Sequence, residues 1–289
     1  MIGFVYISLV VLGITMVAYL AKLSAKNGVS SFDLTFVMFA AASVLGYLFA
    51  EINNVGKQHY MGEMYFASAI AGIGGATAVF MFNHAVRVGH FGYSNSIYRS
   101  SFLIPIIFGV VFFKYKLSIP NITGIVFILT SIFLISWSND AFTKGKGKSN
   151  SLWFLFILCA FMLSGLPRIG QLLVSRNGLN SFAYLFMSYA IGFVLLLIFF
   201  SFRRKRVKGL ALLYGSLAAF ASFVGVYCTL EALKLLPASI VFPVTLSTPI
   251  MLGMLISFIY RERNRPAGWI GVALGICGIL ILSLEAYMK

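Results

Sequence analysis

Tyr98-Arg-Ser-Ser-Phe-Leu-Ile-Pro105 is the stretch that decides how this chain is read. It is polar and charged at one end, broken by a proline at the other, and lies inside an apolar segment from about Ser94 to Phe113. A second stretch, Thr245-Leu-Ser-Thr-Pro249, lies in a matching apolar segment from about Ala238 to Ile259. Proline in a helix removes one hydrogen bond and frees the carbonyl four residues back, here those of Ser101 and Thr245. In a membrane such a break is tolerated only where neighbouring helices or a water-filled cavity satisfy the backbone. Two interrupted segments in corresponding positions of two halves point to the central site of a transporter, so helix breaks are expected at Pro105 and Pro249.

Working outward, the 289 residues are 60% hydrophobic and 10% charged, with mean hydropathy +0.96. A soluble domain carries about a quarter charged residues, so the chain reads as an all-α integral membrane protein with the lipid bilayer as its solvent. Ten apolar segments have helix-spanning length: roughly Ile2–Ala21, Phe32–Ala50, Met64–Val86, Ser94–Phe113, Asn121–Ser138, Leu152–Val174, Phe182–Phe202, Leu210–Leu233, Ala238–Ile259 and Gly268–Met288. The first lacks a basic start and a clear cleavage site and is expected to be a retained helix. Cys159, Cys228 and Cys277 all lie in apolar runs without metal-like spacing and are expected to be packing residues.

The two halves repeat. Lys26-Asn-Gly-Val-Ser-Ser-Phe32 matches Arg176-Asn-Gly-Leu-Asn-Ser-Phe182 at an offset of 150, and Ala85-Val-Arg-Val88 matches Ala232-Leu-Lys-Leu235 at 147. Pro105 matches Pro249 and Gly109 matches Gly253 at 144, while Gly124 matches Gly271 at 147. Residues 1–139 thus form a first five-helix repeat, 140–151 a Gly/Lys-rich linker, and 152–289 a second repeat. Five is odd, so the second repeat enters the membrane from the opposite side and the two are inverted.

The net charge of +15 does not mark a nucleic-acid binder, because the basic residues sit in short loops where they report topology. Loops after the odd-numbered segments hold fourteen Lys and Arg, the other side holds six, and Arg99 and Arg168 lie within segments. On charge alone the odd loops are cytoplasmic and both termini lie outside. Small residues line several helices: Gly271, Gly275 and Gly278 in the last, Ala71, Gly72, Gly74 and Gly75 in the third, and Ala218, Ala221, Ser222 and Gly225 in the eighth. They are expected to let backbones approach closely within one molecule, which is read as a monomer or weak dimer.

Ten helices in two halves, the Asn-Gly-x-x-Ser-Phe turn after the first helix of each, the Ala232–Ser239 run, Pro249, Gly253 and the Arg261-Glu262-Arg263 turn together resemble the EamA-type transporters of the drug/metabolite transporter superfamily. The resemblance covers essentially the whole chain. It implies an inverted-repeat carrier of small metabolites in a bacterial inner membrane, with its site between two four-helix bundles; amino-acid exporters are common among such proteins. Two features depart from the family. Lys114-Tyr-Lys-Leu stands where a Gly-Glu-Arg-like turn is usual, and members keep both termini cytoplasmic, against the charge count.

Arg99 is the sharpest candidate. It lies some five residues inside its segment, about 7 Å deep at the helical rise. It either snorkels to the interface or presents a cation to a polar interior; Asn95, four residues back, shares its face, and Tyr98 adjoins it. Arg168 follows Pro167, which is read as a helix break that would turn Arg168 inward, with snorkelling as the alternative. Asn83 and His84, with Arg87 and His90 beyond, form either a wet interfacial cluster or a proton-coupling site. Glu231 occupies the position matching His84 and is either an ion-pair partner of Lys234, three residues on, or a site carboxylate. Tyr19, Tyr227, Thr245, Ser247 and Thr248 add hydrogen-bonding groups at plausible depth.

There is no acidic residue midway along the first helix, where small multidrug antiporters keep a Glu, and no P-loop, metal cluster or catalytic constellation. Neither cofactor nor enzymatic activity is expected. The positive intramembrane charge favours a small-molecule substrate bearing a carboxylate or phosphate, such as an amino acid, moved with protons or a counter-substrate as coupling partner. The competing readings are a lipid-linked-sugar flippase on the same fold and a membrane-embedded enzyme acting on lipid-linked substrates.

Overall fold

A computed structural model describes residues 2–54, 62–88, 91–140, 151–201, 207, 209–259 and 266–288. The Lys144–Lys148 linker, most of the Arg203–Lys208 loop, the Arg261-Glu262-Arg263 turn and His90 lie outside the described residues. The described chain is helical, with no strand among those residues. In order the helices are α1 (Ile2–Lys26), α2 (Ser31–Ile52), α3 (Gly62–Val88), α4 (Phe91–Arg99), α5 (Leu103–Phe113), α6 (Ile119–Asp140), α7 (Ser151–Arg176), α8 (Ser181–Ser201), α9 (Gly209–Leu235), α10 (Ala238–Ile259) and α11 (Pro266–Met288). A 3-10 turn, Ser100–Phe102, joins α4 to α5.

Taking α4, the turn and α5 as one segment leaves ten helical segments among the described residues. Of these, eight are long and apolar enough to cross a membrane, and the other two hold shorter apolar stretches, Ile119–Ile135 in α6 and Ala238–Leu252 in α10. The chain is an integral membrane protein.

Local chemistry sets the helix ends. α1 and α7 both stop at an Asn-Gly pair in which the glycine takes the left-handed conformation, Gly28 at φ 69° and Gly178 at φ 62°. Val29 N–H then donates to the Ser24 carbonyl at 2.9 Å and Leu179 N–H to the Val174 carbonyl at 3.0 Å, the six-residue closure that ends a helix at such a glycine. The following helices are capped by side chains. Ser30 Oγ accepts from Asp33 N–H at 3.1 Å, and Asn180 Oδ1 accepts from the Phe182 and Ala183 N–H groups at 2.9 and 3.1 Å.

The chain divides into two compact units, each drawing on both halves of the sequence: 1–80 with 166–235, and 81–165 with 236–289. In the first unit α1 lies along α9, and α2 packs on α8 and α9. Lipid tails are as apolar as leucine, so close backbone approach holds helices together rather than a difference in hydrophobicity. A Cβ on Gly13 of α1 would stand 2.7 Å from the Ala221 carbonyl oxygen, and one on Gly72 of α3 only 2.5 Å from that of Ser188. The core around Phe39, Ala42, Met64, Tyr184, Leu185 and Leu230 is apolar and partly aromatic.

In the second unit α6 lies along α11, with α4 and α10 packed on α6. The small-residue face of α11 packs closely on α6, where a Cβ on Gly278 would stand 2.9 Å from the Gly124 carbonyl oxygen.

Two expectations about proline are corrected here. α10 is not interrupted: it stays helical from Ala238 to Ile259 with Pro243 and Pro249 inside it. Nor does Pro167 break α7, which runs unbroken from Ser151 to Arg176. Residues 241–247 of α10 are all buried, so surrounding protein holds the helix in register where a proline has removed a bond. In α7 the Pro167 carbonyl gains an outside donor, the Tyr184 hydroxyl, at 3.1 Å.

Candidate substrate site

The candidate residues fall into two groups, one in each unit. Asn83, His84, Asn95, Tyr98, Arg99, Thr245 and Ser247 belong to the second unit; Tyr19, Arg168, Tyr227 and Glu231 belong to the first.

In the second unit the interrupted segment is the organising feature. Pro105 sits in the first turn of α5, where its missing N–H has no helical acceptor to serve. The chain tightens into the 3-10 turn just before it, and the Leu103 N–H reaches back to the carbonyls of Ser100 and Ser101. Arg99 is the last residue of α4, immediately before that turn. Its Nε is buried and has no hydrogen-bond partner among the described residues. The Ser101 hydroxyl, within the turn, is likewise buried and without a partner.

The segment is held by its neighbours. Ser96 Oγ donates to the Ile132 carbonyl of α6 at 3.1 Å, and Trp153 Nε1 of α7 donates to Ser94 Oγ at 2.9 Å. Tyr98 packs its ring on Phe82, with centroids 4.6 Å apart, beside an apolar cluster formed around Ala85, Ile157 and Ala160. His84 lies against Phe156 at 5.5 Å. Asn83 and Asn95 are half-buried. Arg99 thus ends a helix that is tied to α6 and α7, with a cationic side chain that those ties leave unused.

Thr245 and Ser247 bond to their own helix. Both are buried, and Thr245 Oγ1 donates to the Val241 carbonyl and Ser247 Oγ to the Pro243 carbonyl, each at 2.7 Å. Thr248 Oγ1 does the same to Val244 at 2.6 Å. These hydroxyl hydrogens are spent on their own helix; only acceptor capacity remains.

In the first unit Arg168 is half-buried beside Pro167. Tyr19 is 59% exposed, and so does not line a closed pocket. Glu231 makes the ion pair its spacing allows: Lys234 Nζ lies 2.6 Å from Glu231 Oε1. Ser181, the first residue of α8, joins them, donating to Glu231 Oε1 at 3.0 Å and accepting from Lys234 Nζ at 3.3 Å. Tyr227 stacks on Phe182 at 5.0 Å and 11°. These side chains line a pocket of about 370 Å³ with Gly178, Leu179 and Asn180. Asn180, Ser181 and Phe182 were legible only as part of a repeated turn; nothing in their spacing says that α8 begins beside the end of α9.

Residues 151–284 match the model of the EamA-like transporter family. The match takes in α7 to α10 and all but the last residues of α11. EamA-like proteins are membrane transporters, which agrees with the apolar helices of this chain. A crystal structure of another protein is similar over 99% of this chain and 96% of its own, with a TM-score of 0.74 at 16% identity, which shows a shared fold. No curated protein matches the chain.

Proposed function

We propose that this EamA-like chain is a secondary transporter, an exporter or exchanger, of a small polar metabolite bearing a carboxylate or phosphate, such as an amino acid. It works by alternating access between two helical bundles, in a bacterial inner membrane. The observation that carries the reading is the buried, unpartnered Arg99 Nε at the end of α4, where the helix gives way to a 3-10 turn. Intramembrane ionisable groups pair or face a polar path, and leaving a charged donor buried and unmatched is costly. An anionic ligand group supplies the missing partner, with Asn95 on the same helical face.

Paired features of the two halves support the inverted repeat that such a mechanism uses. α1 and α7 end in the same turn. Asn27 of the first turn donates to Tyr214 Oη near the start of α9 at 2.7 Å, and Asn177 of the second donates to Glu63 Oε2 at the start of α3 at 2.8 Å. Exchanging the halves exchanges these two bonds. The packing of α4 on α6 has its counterpart in that of α10 on α11.

Comparing metabolite pools of cells with and without the protein identifies the substrate, and uptake into proteoliposomes then tests Arg99. Arg99→Lys keeps the charge but loses the planar fork that holds a carboxylate with two bonds. Arg99→Gln loses the charge as well. The Lys variant should transport weakly and the Gln variant hardly at all, both inserted and folded. A charge-assisted bond lost here costs about 1.5–3 kcal/mol, roughly ten- to hundredfold in affinity. Unchanged affinity in Arg99→Gln would end the selector reading, and a silent Lys variant with a poorly expressed Gln variant would mark a snorkelling arginine.

A further inference from the structure

We propose that α7 carries a ligand subsite of its own in the first unit, formed by Gln171 and Ser175 with Arg168 one turn before them, that takes a 2-hydroxy carboxylate. The proposal rests on the reading of the substrate as a carboxylate and deepens it, naming a hydroxyl rather than an ammonium as the group beside that carboxylate. It uses one face of one helix and does not involve Arg99.

Gln171 lies inside the apolar span of α7, Leu152–Arg176, and is 8% exposed. Its carboxamide makes no hydrogen bond among the described residues. Ser175 Oγ, four residues on, is buried and also without a partner among those residues. With Arg168 the two fall within about 60° of one another around the helix at 3.6 residues per turn. They make one polar face among the apolar neighbours Ile169, Leu172, Leu173 and Val174. Packing does not call for these groups. α1 ends in the same turn as α7, and the bonds that close the two helices, to the Ser24 and Val174 carbonyls, fix an offset of 150 residues between them. At that offset Arg168, Gln171 and Ser175 match Ala18, Ala21 and Ala25. A helix of this kind is therefore built equally well with three alanines. A buried amide without a partner is costly, and a ligand that completes the face removes that cost.

The three groups define the chemistry of that ligand. A carboxamide and a hydroxyl each both donate and accept, and a ligand hydroxyl answers both. A bare carboxylate only accepts and an ammonium only donates, so either leaves part of Gln171 unmatched. Arg168 is half-buried, and its guanidinium has five donors, more than one protein partner takes up. Such a group suits a carboxylate. It stands about 4.5 Å along the axis from Gln171, a separation that two long side chains close onto neighbouring atoms of one small molecule. A 2-hydroxy carboxylate carries its two groups on adjacent carbons. An ammonium in place of the hydroxyl would face the Arg168 charge, and α7 has no acidic residue to offset it.

The test is binding of radiolabelled L-lactate to the full-length protein in lipid nanodiscs, with displacement by propionate and L-alanine. The three differ at one carbon, which carries a hydroxyl, a hydrogen or an ammonium. L-Lactate should bind at least about tenfold more tightly than either relative, a comparison that needs no variant. Gln171→Leu should remove the preference over propionate and leave propionate affinity unchanged, and Ser175→Ala should narrow the preference. Gln171→Leu should also melt at the same temperature or higher, because no bond within the protein is lost. Absence of L-lactate binding, or a preference that survives in Gln171→Leu, would overturn the subsite. Equal affinity for the three probes would overturn it too, and would mean that water alone answers Gln171. A lowered melting temperature in Gln171→Leu would do the same by showing that the amide is bonded within the protein. An Arg99→Gln protein that keeps both its L-lactate preference and its transport removes the Arg99 reading and leaves this one standing. Absence of the preference beside transport lost in Arg99→Gln removes this one and leaves that.

Discussion

Two serines five residues apart in the interrupted segment have opposite roles. Ser96 Oγ is buried and donates to the Ile132 carbonyl, whereas Ser101 Oγ is buried with no partner among the described residues. Ser96→Ala should lower the stability of the purified protein by about 0.5–1.5 kcal/mol, the net worth of an ordinary hydrogen bond. Ser101→Ala should leave the melting temperature unchanged or raise it, because a methyl group replaces a hydroxyl whose burial nothing compensates. A clear drop in Ser101→Ala would show that the hydroxyl has a partner. Tyr184→Phe belongs to the same scale. Its hydroxyl donates to the Pro167 carbonyl from a fully buried position, so the variant should cost about 0.5–1.5 kcal/mol in thermal unfolding and leave insertion intact.

At the scale of elements, the two Asn-Gly turns and the glycine contacts make separable predictions. Gly28→Ala and Gly178→Ala place a Cβ on a left-handed residue, which costs about 1–2 kcal/mol. A Cβ at Gly178 meets nothing within 4 Å, so its cost is backbone strain alone. Gly13→Ala works through packing instead: its Cβ would stand 2.7 Å from a backbone oxygen of α9, which has no rotamer to yield. About 1–3 kcal/mol of overpacking is expected. Melting of the three variants in one lipid mixture checks both values, and an unchanged Gly13→Ala would mean that α1 and α9 move apart freely.

For the whole molecule, orientation remains a matter of charge. The Lys144–Lys148 linker and the Arg203–Lys208 loop carry much of the basic excess on the odd-loop side, so on charge alone they are expected in the cytoplasm. A cysteine introduced in either loop should escape a membrane-impermeant reagent in intact cells. Ready labelling would reverse the orientation and put both termini in the cytoplasm.

What the sequence determined by itself is what short-range chemistry controls. Apolar length gave the helical segments, Asn-Gly pairs gave two helix ends, and three-residue spacing gave the Glu231–Lys234 pair. Small residues at helical spacing marked α11 and α3 as close-packing faces, since only such faces let two backbones meet. The tertiary structure decided the rest, because each case turns on a neighbour distant in sequence. Pro105 and Pro249 read alike, yet only the first follows an interrupted helix, while burial keeps α10 whole. Thr245 and Ser247 donate to carbonyls of their own helix. Ser181 meets Glu231 and Lys234 across fifty residues or more of chain, and Arg99 Nε meets no partner among the described residues. Which donors are spent and which are left over is a property of packing, and no spacing in the chain records it.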